Sequence, residues 1–100
     1  MALSLSTDRD ADTITVTVAG DVDLSTVAEL DHAVLAAVIG ATSVVIDLAA
    51  VTFIDSAGIN TLLKSRRLAD ERGRRFRIAN ATGVVRDVLD LTGVLSHLSG

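Results

Sequence analysis

One segment of the sequence places a serine between an acidic residue and a glycine. It reads Phe53-Ile54-Asp55-Ser56-Ala57-Gly58, and it lies between an apolar run and a helical pattern. At the start of a helix, a serine hydroxyl lies beside unpaired backbone N–H groups, which favour an oxygen-rich or anionic substituent. Alternatively, Asp55 or Ser56 acts only as the N-cap of that helix. Spacing alone favours this simpler interpretation.

A second segment, Gly20-Asp21-Val22-Asp23, brings two carboxylates together before another helical pattern. Paired acids can bind a metal ion or perform acid and base catalysis. Acidic residues are also common as helix caps and as solubilising loop residues, and spacing favours that role here. The sequence therefore predicts no metal site and no cofactor.

An enzymatic interpretation would make Ser56 a nucleophile with His32 or His97 as its base. The Gly-x-Ser-x-Gly turn of serine hydrolases is absent, because Ile54 stands where its first glycine would be. A glycine-rich phosphate loop ending in lysine and serine or threonine is absent as well. We therefore expect a protein that is not an enzyme.

The elements that would position these residues begin with two alternating segments. Period-two patterns rich in β-branched residues predict an antiparallel hairpin with one exposed face. Its apolar positions are Leu3, Leu5, Ile14, Val16 and Val18. A polar turn at residues 8–12 separates the two strands, and Gly20 is expected to close the second.

Apolar residues at three- and four-residue spacing predict three helices. They run from residue 27 to about 40, from about 56 to 73, and from about 82 to 93. Thr26 and Glu29 have the spacing of a capping box for the first helix. The nearly continuous apolar run Val44–Leu48 predicts a strand covered on both faces and parallel to a neighbour.

A further strand is predicted around Phe76 and Ile78, which alternate with arginines. The order ββαβαβα indicates an α/β fold, with a mixed sheet faced by helices. We find no linker or internal repeat, so residues 1–100 are interpreted as a single domain.

Composition excludes several classes of function. The net charge of −4 argues against nucleic acid as a partner, since such binding depends on neutralising phosphates. No apolar run reaches the ~18 residues that a membrane span needs. The chain has no cysteine, and residues 1–10 lack the apolar core of a secretory signal, so a cytoplasmic location is expected.

The serine segment, preceded by Val44–Leu48 and by Gly20-Asp21-Val22-Asp23, resembles the STAS family, specifically the bacterial anti-sigma factor antagonists. The resemblance extends to Leu91-Thr92-Gly93 and implies a STAS-like fold. It further implies that the unphosphorylated protein binds an anti-sigma factor and thereby frees a sigma factor. The anti-sigma factor would also be a serine kinase whose phosphorylation of Ser56 releases the antagonist, and a serine phosphatase would restore it.

By the same resemblance, residues around the phosphoacceptor would form the partner-binding surface. The expected contact residues are Asp21, Asp23, Asp55, Ser56, Ala57, Gly58 and Asn60. An alternative within the family is a STAS module of another assembly, such as a lipid-transport or stress-signalling complex, or a nucleotide-binding STAS domain.

Two other features leave alternatives open. Val94, Leu95 and Leu98 could form a homodimer or partner patch, although a segment folded back on the core is favoured. Seven basic residues between Lys64 and Arg77 could attract an acidic partner surface, but a solvated helix face with nearby acids is favoured.

Overall fold

The computed structural model describes residues 3–91 and contains seven elements. They are β1 (Ser4–Asp10), β2 (Thr13–Val22), α1 (Val27–Gly40), β3 (Ser43–Ile54), α2 (Ser56–Glu71), β4 (Arg75–Ala79) and α3 (Gly83–Leu91). The predicted order ββαβαβα is confirmed. The predicted end of the third helix at Gly93, together with Val94, Leu95, His97 and Leu98, lies outside the described residues.

The four strands form one mixed sheet in the order β1-β2-β3-β4. β1 pairs antiparallel with β2, whereas β3 pairs parallel with both β2 and β4. The connections α1 and α2 supply the crossovers that parallel neighbours require. The carboxyl ends of β2 and β3 consequently lie at the same edge of the sheet.

One face of β3 is fully buried and the other is not. Val44, Ile46 and Leu48 are at most 1% exposed, but the alternate residues Val45 and Asp47 are only half-buried. The prediction that this strand is covered on both faces is therefore wrong, although its parallel pairing is correct. A run of apolar letters does not reveal that Val45 belongs to a less protected face.

Side chains from the sheet and from all three helices form one hydrophobic core cluster. β2 contributes Val16, α1 contributes Leu30, α2 contributes Leu62, and α3 contributes Leu89, all of them fully buried. Each such side chain gains roughly 1.5–3 kcal/mol relative to exposure to water. α3 is thus held to the rest of the fold by the same core that holds the site-bearing elements.

The β2–β3 pairing contains two irregularities. From the pair Thr17↔Asp47 to the pair Ala19↔Ala50, β2 advances two residues and β3 advances three. Just beyond, β2 advances one residue from Gly20 to Asp21 while β3 advances two, from residue 51 to residue 53. β3 therefore carries two extra residues, as in β-bulges.

Two predicted strand limits change in the structure. β1 continues through residues 8–10, which the sequence assigns to a turn, so the turn is only residues 11 and 12. β2 continues past Gly20 to Val22, because Gly20, with φ 102°, lies at a bulge rather than at the strand end. The acidic residue Asp21 is therefore part of a strand.

The helices match their predicted starts closely. α2 is followed by Gly73 at φ 67°, a left-handed position that suits glycine after a helix. Leu63 of α2 is half-buried and packs at the margin of the core. None of the described helices is long and apolar enough to cross a bilayer.

Candidate functional site

The two segments singled out in the sequence meet at one edge of the sheet. Val22, the last residue of β2, pairs with Ile54, the last residue of β3. The backbone N–H of Asp55 donates a hydrogen bond of 3.1 Å to the carbonyl of Val22. In parallel sheets, the loops at the carboxyl ends of the strands are where binding sites usually form.

Asp55 is the N-cap of α2. Its Oδ1 accepts hydrogen bonds from the backbone N–H groups of Ala57 at 2.9 Å and Gly58 at 3.1 Å. Such caps stabilise a helix by about 1 kcal/mol. The capping interpretation is thus confirmed for Asp55, whereas Ser56 becomes the first residue of α2 and is exposed.

Gly58 is buried where the first turn of α2 packs onto the ends of the strands. A Cβ atom there would lie 2.6 Å from Val22 Cγ1 and 2.8 Å from Ile54 Cγ1. Both distances are too short for carbon atoms, so only glycine permits this close approach. The short distance between α2 and the sheet fixes the position of Ser56 relative to β2.

Thr26 precedes α1, as predicted, but it does not form the predicted capping box. Its side chain makes no cap hydrogen bond to the helix. The buried hydroxyl instead donates to the carbonyl of Asp21 at 2.8 Å and accepts from the N–H of Asp23 at 3.0 Å. The hydroxyl therefore fixes the path of the loop between β2 and α1.

The carboxylate of Asp23 is held by its neighbour Ser25. Asp23 Oδ1 accepts from the Ser25 hydroxyl at 2.6 Å and from the Ser25 N–H at 2.9 Å. The hydroxyl bond is the main cause that lowers the pKa of Asp23 below its ordinary value of 3.8, and bonds from backbone N–H groups add to it. The loop consequently presents a charged carboxylate.

Asp21 is the residue before the last in β2, and its carboxylate accepts a hydrogen bond from β3. The Thr52 hydroxyl donates to Asp21 Oδ1 at 2.7 Å. Sequence reasoning missed Thr52, because it is the unpaired residue of the second bulge, and that bulge leaves no signal in the order of residues. This bond ties the two acid-bearing segments together on the exposed side of the sheet edge.

Two large apolar side chains beside these acids are exposed. Leu24 is 79% exposed in the loop before α1, and Phe53 is 45% exposed near the end of β3. Sequence reasoning also missed both of them. A leucine between Asp23 and Ser25, outside any periodic pattern, is the signal that could have identified the first.

The predicted site residues range from exposed to buried, and Asp21, Asp23 and Asp55 are half-buried. Asn60 is exposed four residues after Ser56, so the two lie on the same side of α2. Ala57 is half-buried and Gly58 is buried beneath the helix turn. Asp21, Asp23 and Ser56 thus come together at one edge with Leu24 and Phe53, and we call these five residues the carboxyl-edge surface.

Of the two histidines considered as a base for Ser56, His97 lies outside the described residues. Within residues 3–91, no histidine or carboxylate hydrogen-bonds the Ser56 hydroxyl. His32 is an exposed residue of α1. Across the same residues, no group of three or more His, Cys, Asp or Glu side chains could hold a metal ion.

Solved structures of known proteins share this fold. An anti-sigma factor antagonist from Mycobacterium paratuberculosis is 26% identical, with a TM-score of 0.80 over 97% of this chain and 83% of that one. The anti-sigma factor antagonist SpoIIAA in its unphosphorylated form is 19% identical, with a TM-score of 0.80 over 93% and 84%. The phosphorylated form of this Bacillus cell fate determinant is 17% identical, with a TM-score of 0.75 over 97% and 89%.

The same fold occurs in a sulfate transporter family protein from Wolinella succinogenes, which is 16% identical, with a TM-score of 0.74 over 90% of this chain and 74% of that one. No curated protein sequence matches the chain. The family model described as "Mlab, STAS domain" matches residues 5–98. With nearly the whole sequence matched, and with the mixed four-stranded sheet and helices of anti-sigma factor antagonists, this chain belongs to the STAS-domain family.

Proposed function

We propose that this protein is an anti-sigma factor antagonist whose binding to an anti-sigma factor is controlled by phosphorylation of Ser56. The unphosphorylated protein binds through the carboxyl-edge surface and thereby frees a sigma factor. A serine kinase, which is the anti-sigma factor itself, adds the phosphate, and a serine phosphatase removes it. The protein acts in the cytoplasm as a binding protein and catalyses no reaction of its own.

The observation that carries the proposal is the exposed position of Ser56 at the start of α2, on the edge that also presents Asp21 and Asp23. A kinase must reach the hydroxyl oxygen, which attacks the γ-phosphorus of ATP while ADP leaves. The Asp55 carboxylate holds the backbone beside Ser56 in a fixed helical turn. The phosphoacceptor is therefore both accessible and rigidly placed.

The local hydrogen bonds explain why a phosphate there would weaken binding. A helix N-terminus normally stabilises a phosphate through its free N–H groups. Here the N–H groups of Ala57 and Gly58 already donate to Asp55. A phosphate on Ser56 would add about −1.5 to −2 charges beside Asp55 without gaining those two donors. Docking a partner on Leu24 and Phe53 would then require removing water from that charge, which is unfavourable.

The test measures phosphorylation and binding together. The purified protein is incubated with ATP and a lysate of its source organism, and its intact mass and its peptides around residues 52–64 are analysed. We expect one phosphate, located on Ser56. Ser56→Ala should bind the captured anti-sigma factor but resist release by ATP, and Ser56→Asp should bind at least tenfold more weakly.

Ser6→Ala serves as the matched control, because Ser6 is an exposed serine on β1, away from the carboxyl edge. It should be phosphorylated and released like the wild type. Absence of phosphate on Ser56 in a lysate with active kinases would contradict the proposal. So would equal binding and release of the wild type and both Ser56 variants.

A second candidate is a STAS module that serves another assembly, and the likeness to the Wolinella sulfate transporter family protein favours it. The partner captured by the wild type separates the two candidates. A kinase-like anti-sigma factor supports the main proposal, whereas a transport protein that binds equally well to Ser56→Ala and Ser56→Asp supports the alternative.

A further inference from the structure

We propose that a cleft at the opposite end of β3 binds a compact anion that carries two or more linked phosphate groups. The cleft has a volume of about 520 Å³. Its polar lining consists of Ser43, Arg66, Asp70, Arg74, Arg75 and Arg77, and we call it the arginine cleft. Four arginines and one aspartate line it, in a chain whose net charge is −4.

Three separate elements bring these arginines together. Arg75 and Arg77 project from alternate positions of β4, and Ser43 of β3 is the register partner of Arg75. Arg74 lies in the turn before β4, where its backbone N–H donates to the carbonyl of Ala69 at 2.8 Å. Arg66 comes from α2. The basic cluster is thus built by the fold as well as by the sequence run.

Arg74 provides an independent indication of a ligand. Its Nε is buried and has no hydrogen-bond acceptor within residues 3–91. A buried N–H group without an acceptor is unfavourable, and such groups are rare in folded proteins. That Nε is closed to solvent in this conformation, so a phosphate oxygen would supply the missing acceptor after a rotation of the Arg74 side chain towards the cleft. The planar guanidinium group then matches phosphate in a paired, two-bond geometry.

The remaining lining selects among anions. Asp70 Oδ1 lies 3.5 Å from Arg66 Nε, so Asp70 offsets part of the charge of Arg66. The positive electrostatic potential of the cleft therefore comes mainly from Arg74, Arg75 and Arg77. The aromatic residue of the cleft, Phe76, is only 5% exposed and therefore offers no free ring on which a nucleobase could stack. The cleft therefore suits a phosphate chain rather than the base of a nucleotide.

This inference does not depend on the proposed function. Ser43 is the first residue of β3, and Ile54, next to the Asp55-Ser56 loop, is the last. The arginine cleft and the carboxyl-edge surface are at opposite ends of that strand. Ser56 variants should therefore bind the anion as the wild type does, and failure of either proposal leaves the other intact.

The test is calorimetric titration with inorganic pyrophosphate, repeated with orthophosphate and with ADP. We expect pyrophosphate to bind with a Kd below about 1 mM and orthophosphate to bind at least tenfold more weakly. ADP should bind no more tightly than pyrophosphate. Arg74→Gln should weaken pyrophosphate binding at least tenfold, Arg77→Gln should weaken it severalfold, and Asp70→Asn should strengthen it.

Arg67→Gln and Arg86→Gln are matched controls, because each removes one positive charge from an exposed arginine outside the cleft. Both should bind pyrophosphate like the wild type. A thermal melt of each variant shows whether it is folded, and Arg77→Gln tests the cleft even if Arg74→Gln unfolds. Equal weakening by the control variants, no binding of pyrophosphate, or tighter binding of ADP or of an aspartate-rich peptide would overturn the proposal.

Discussion

At the scale of single residues, the three aspartates of the carboxyl edge look alike in the sequence and differ in the structure. Asp55 accepts two backbone N–H groups of α2, Asp21 accepts the hydroxyl of Thr52, and Asp23 accepts the hydroxyl and N–H of Ser25. Each carboxylate is thus oriented by a different local donor. These three half-buried carboxylates are therefore fixed acceptors rather than a mobile group of charges.

Replacing Ser25 with alanine should raise the pKa of Asp23. The lowered pKa means that the charged form of Asp23 is favoured by folding, so its contribution is present above pH 3.8 and is lost as the pH falls through the lowered value. Without the Ser25 hydroxyl, that loss should begin at a higher pH. The measurement is the pH dependence of the Asp23 carboxyl ¹³C shift by NMR.

Ser6→Ala is the control for this titration, because it removes a hydroxyl from β1 instead of the loop. It should leave the midpoint of Asp23 unchanged. An unchanged midpoint in Ser25→Ala would mean that the backbone N–H groups alone hold the carboxylate, contrary to our interpretation.

The residues of the site were only partly predictable from the sequence. The cap at Asp55 follows from its type and its place before a helical pattern, and the structure confirms it. Thr26 has the right type and spacing for a capping box, but its hydroxyl bonds to the loop at Asp21 and Asp23 instead. Such a choice between two acceptors depends on the path of the loop, which local spacing does not determine.

At the scale of elements, the contact of α2 with the sheet depends on Gly58. Gly58→Ala should destabilise the protein by about 1–2 kcal/mol, since overpacking typically costs 1–3 kcal/mol and the better helix propensity of alanine returns up to about 1 kcal/mol. The melting temperature should fall by roughly 5–15 °C in a domain of this size. Differential scanning calorimetry measures both quantities.

Gly40→Ala is the matched control. Gly40 is also a helical glycine, at the end of α1, but it has room for a side chain. A Cβ there would lie 3.6 Å from Ile14 Cδ1, an ordinary contact. Its melting temperature should stay equal or rise slightly. If Gly58→Ala melted at the wild-type temperature, the close packing of α2 on Val22 and Ile54 would be relieved at no cost, and our account of Gly58 would be wrong.

The order and type of the elements were predictable because each has a clear period in its apolar residues. The length of β3 was not. The sequence predicts a strand at Val44–Leu48, whereas the strand runs on to Ile54 through two bulges. The bulges interrupt the alternation at Ala49 and Ala50, so periodicity alone stops too early. Pairing with β2, which no local pattern encodes, extends the strand.

At the scale of the whole molecule, exposed apolar side chains fall into distinct regions. Leu24 and Phe53 lie at the carboxyl edge beside the acids, whereas Leu35 and Ile39 lie on α1 and Val84 lies on α3. Single exposed apolar residues are common and need no explanation. The pair beside Ser56 differs because a phosphate could control access to it.

The proposed function predicts that only one of these regions binds the anti-sigma factor. Leu24→Ser should weaken binding at least tenfold, because truncating an anchor residue at the centre of an interface costs about 2 kcal/mol or more, and about 1.4 kcal/mol corresponds to tenfold. Leu35→Ser, at 41% exposure on α1, makes the same chemical change elsewhere and should bind as the wild type does. Affinities are measured by calorimetry with the captured partner. Equal loss in both variants, or in neither, would place the interface elsewhere.

The two bulges of β3 also have a consequence for sequences that differ in length. Each extra residue reverses which side chains face the core. The buried positions are therefore even-numbered up to Leu48, odd-numbered at Val51 after the first bulge, and even-numbered again at Ile54 after the second. Loss of one residue would exchange the burial of Phe53 and Ile54 and rotate the loop that follows. Loss of one residue from each bulge would instead restore the side of the sheet that each of these side chains faces. Among related chains, a gap of two in this strand would therefore preserve the presentation of the serine, and a gap of one would mark a protein that presents a different surface.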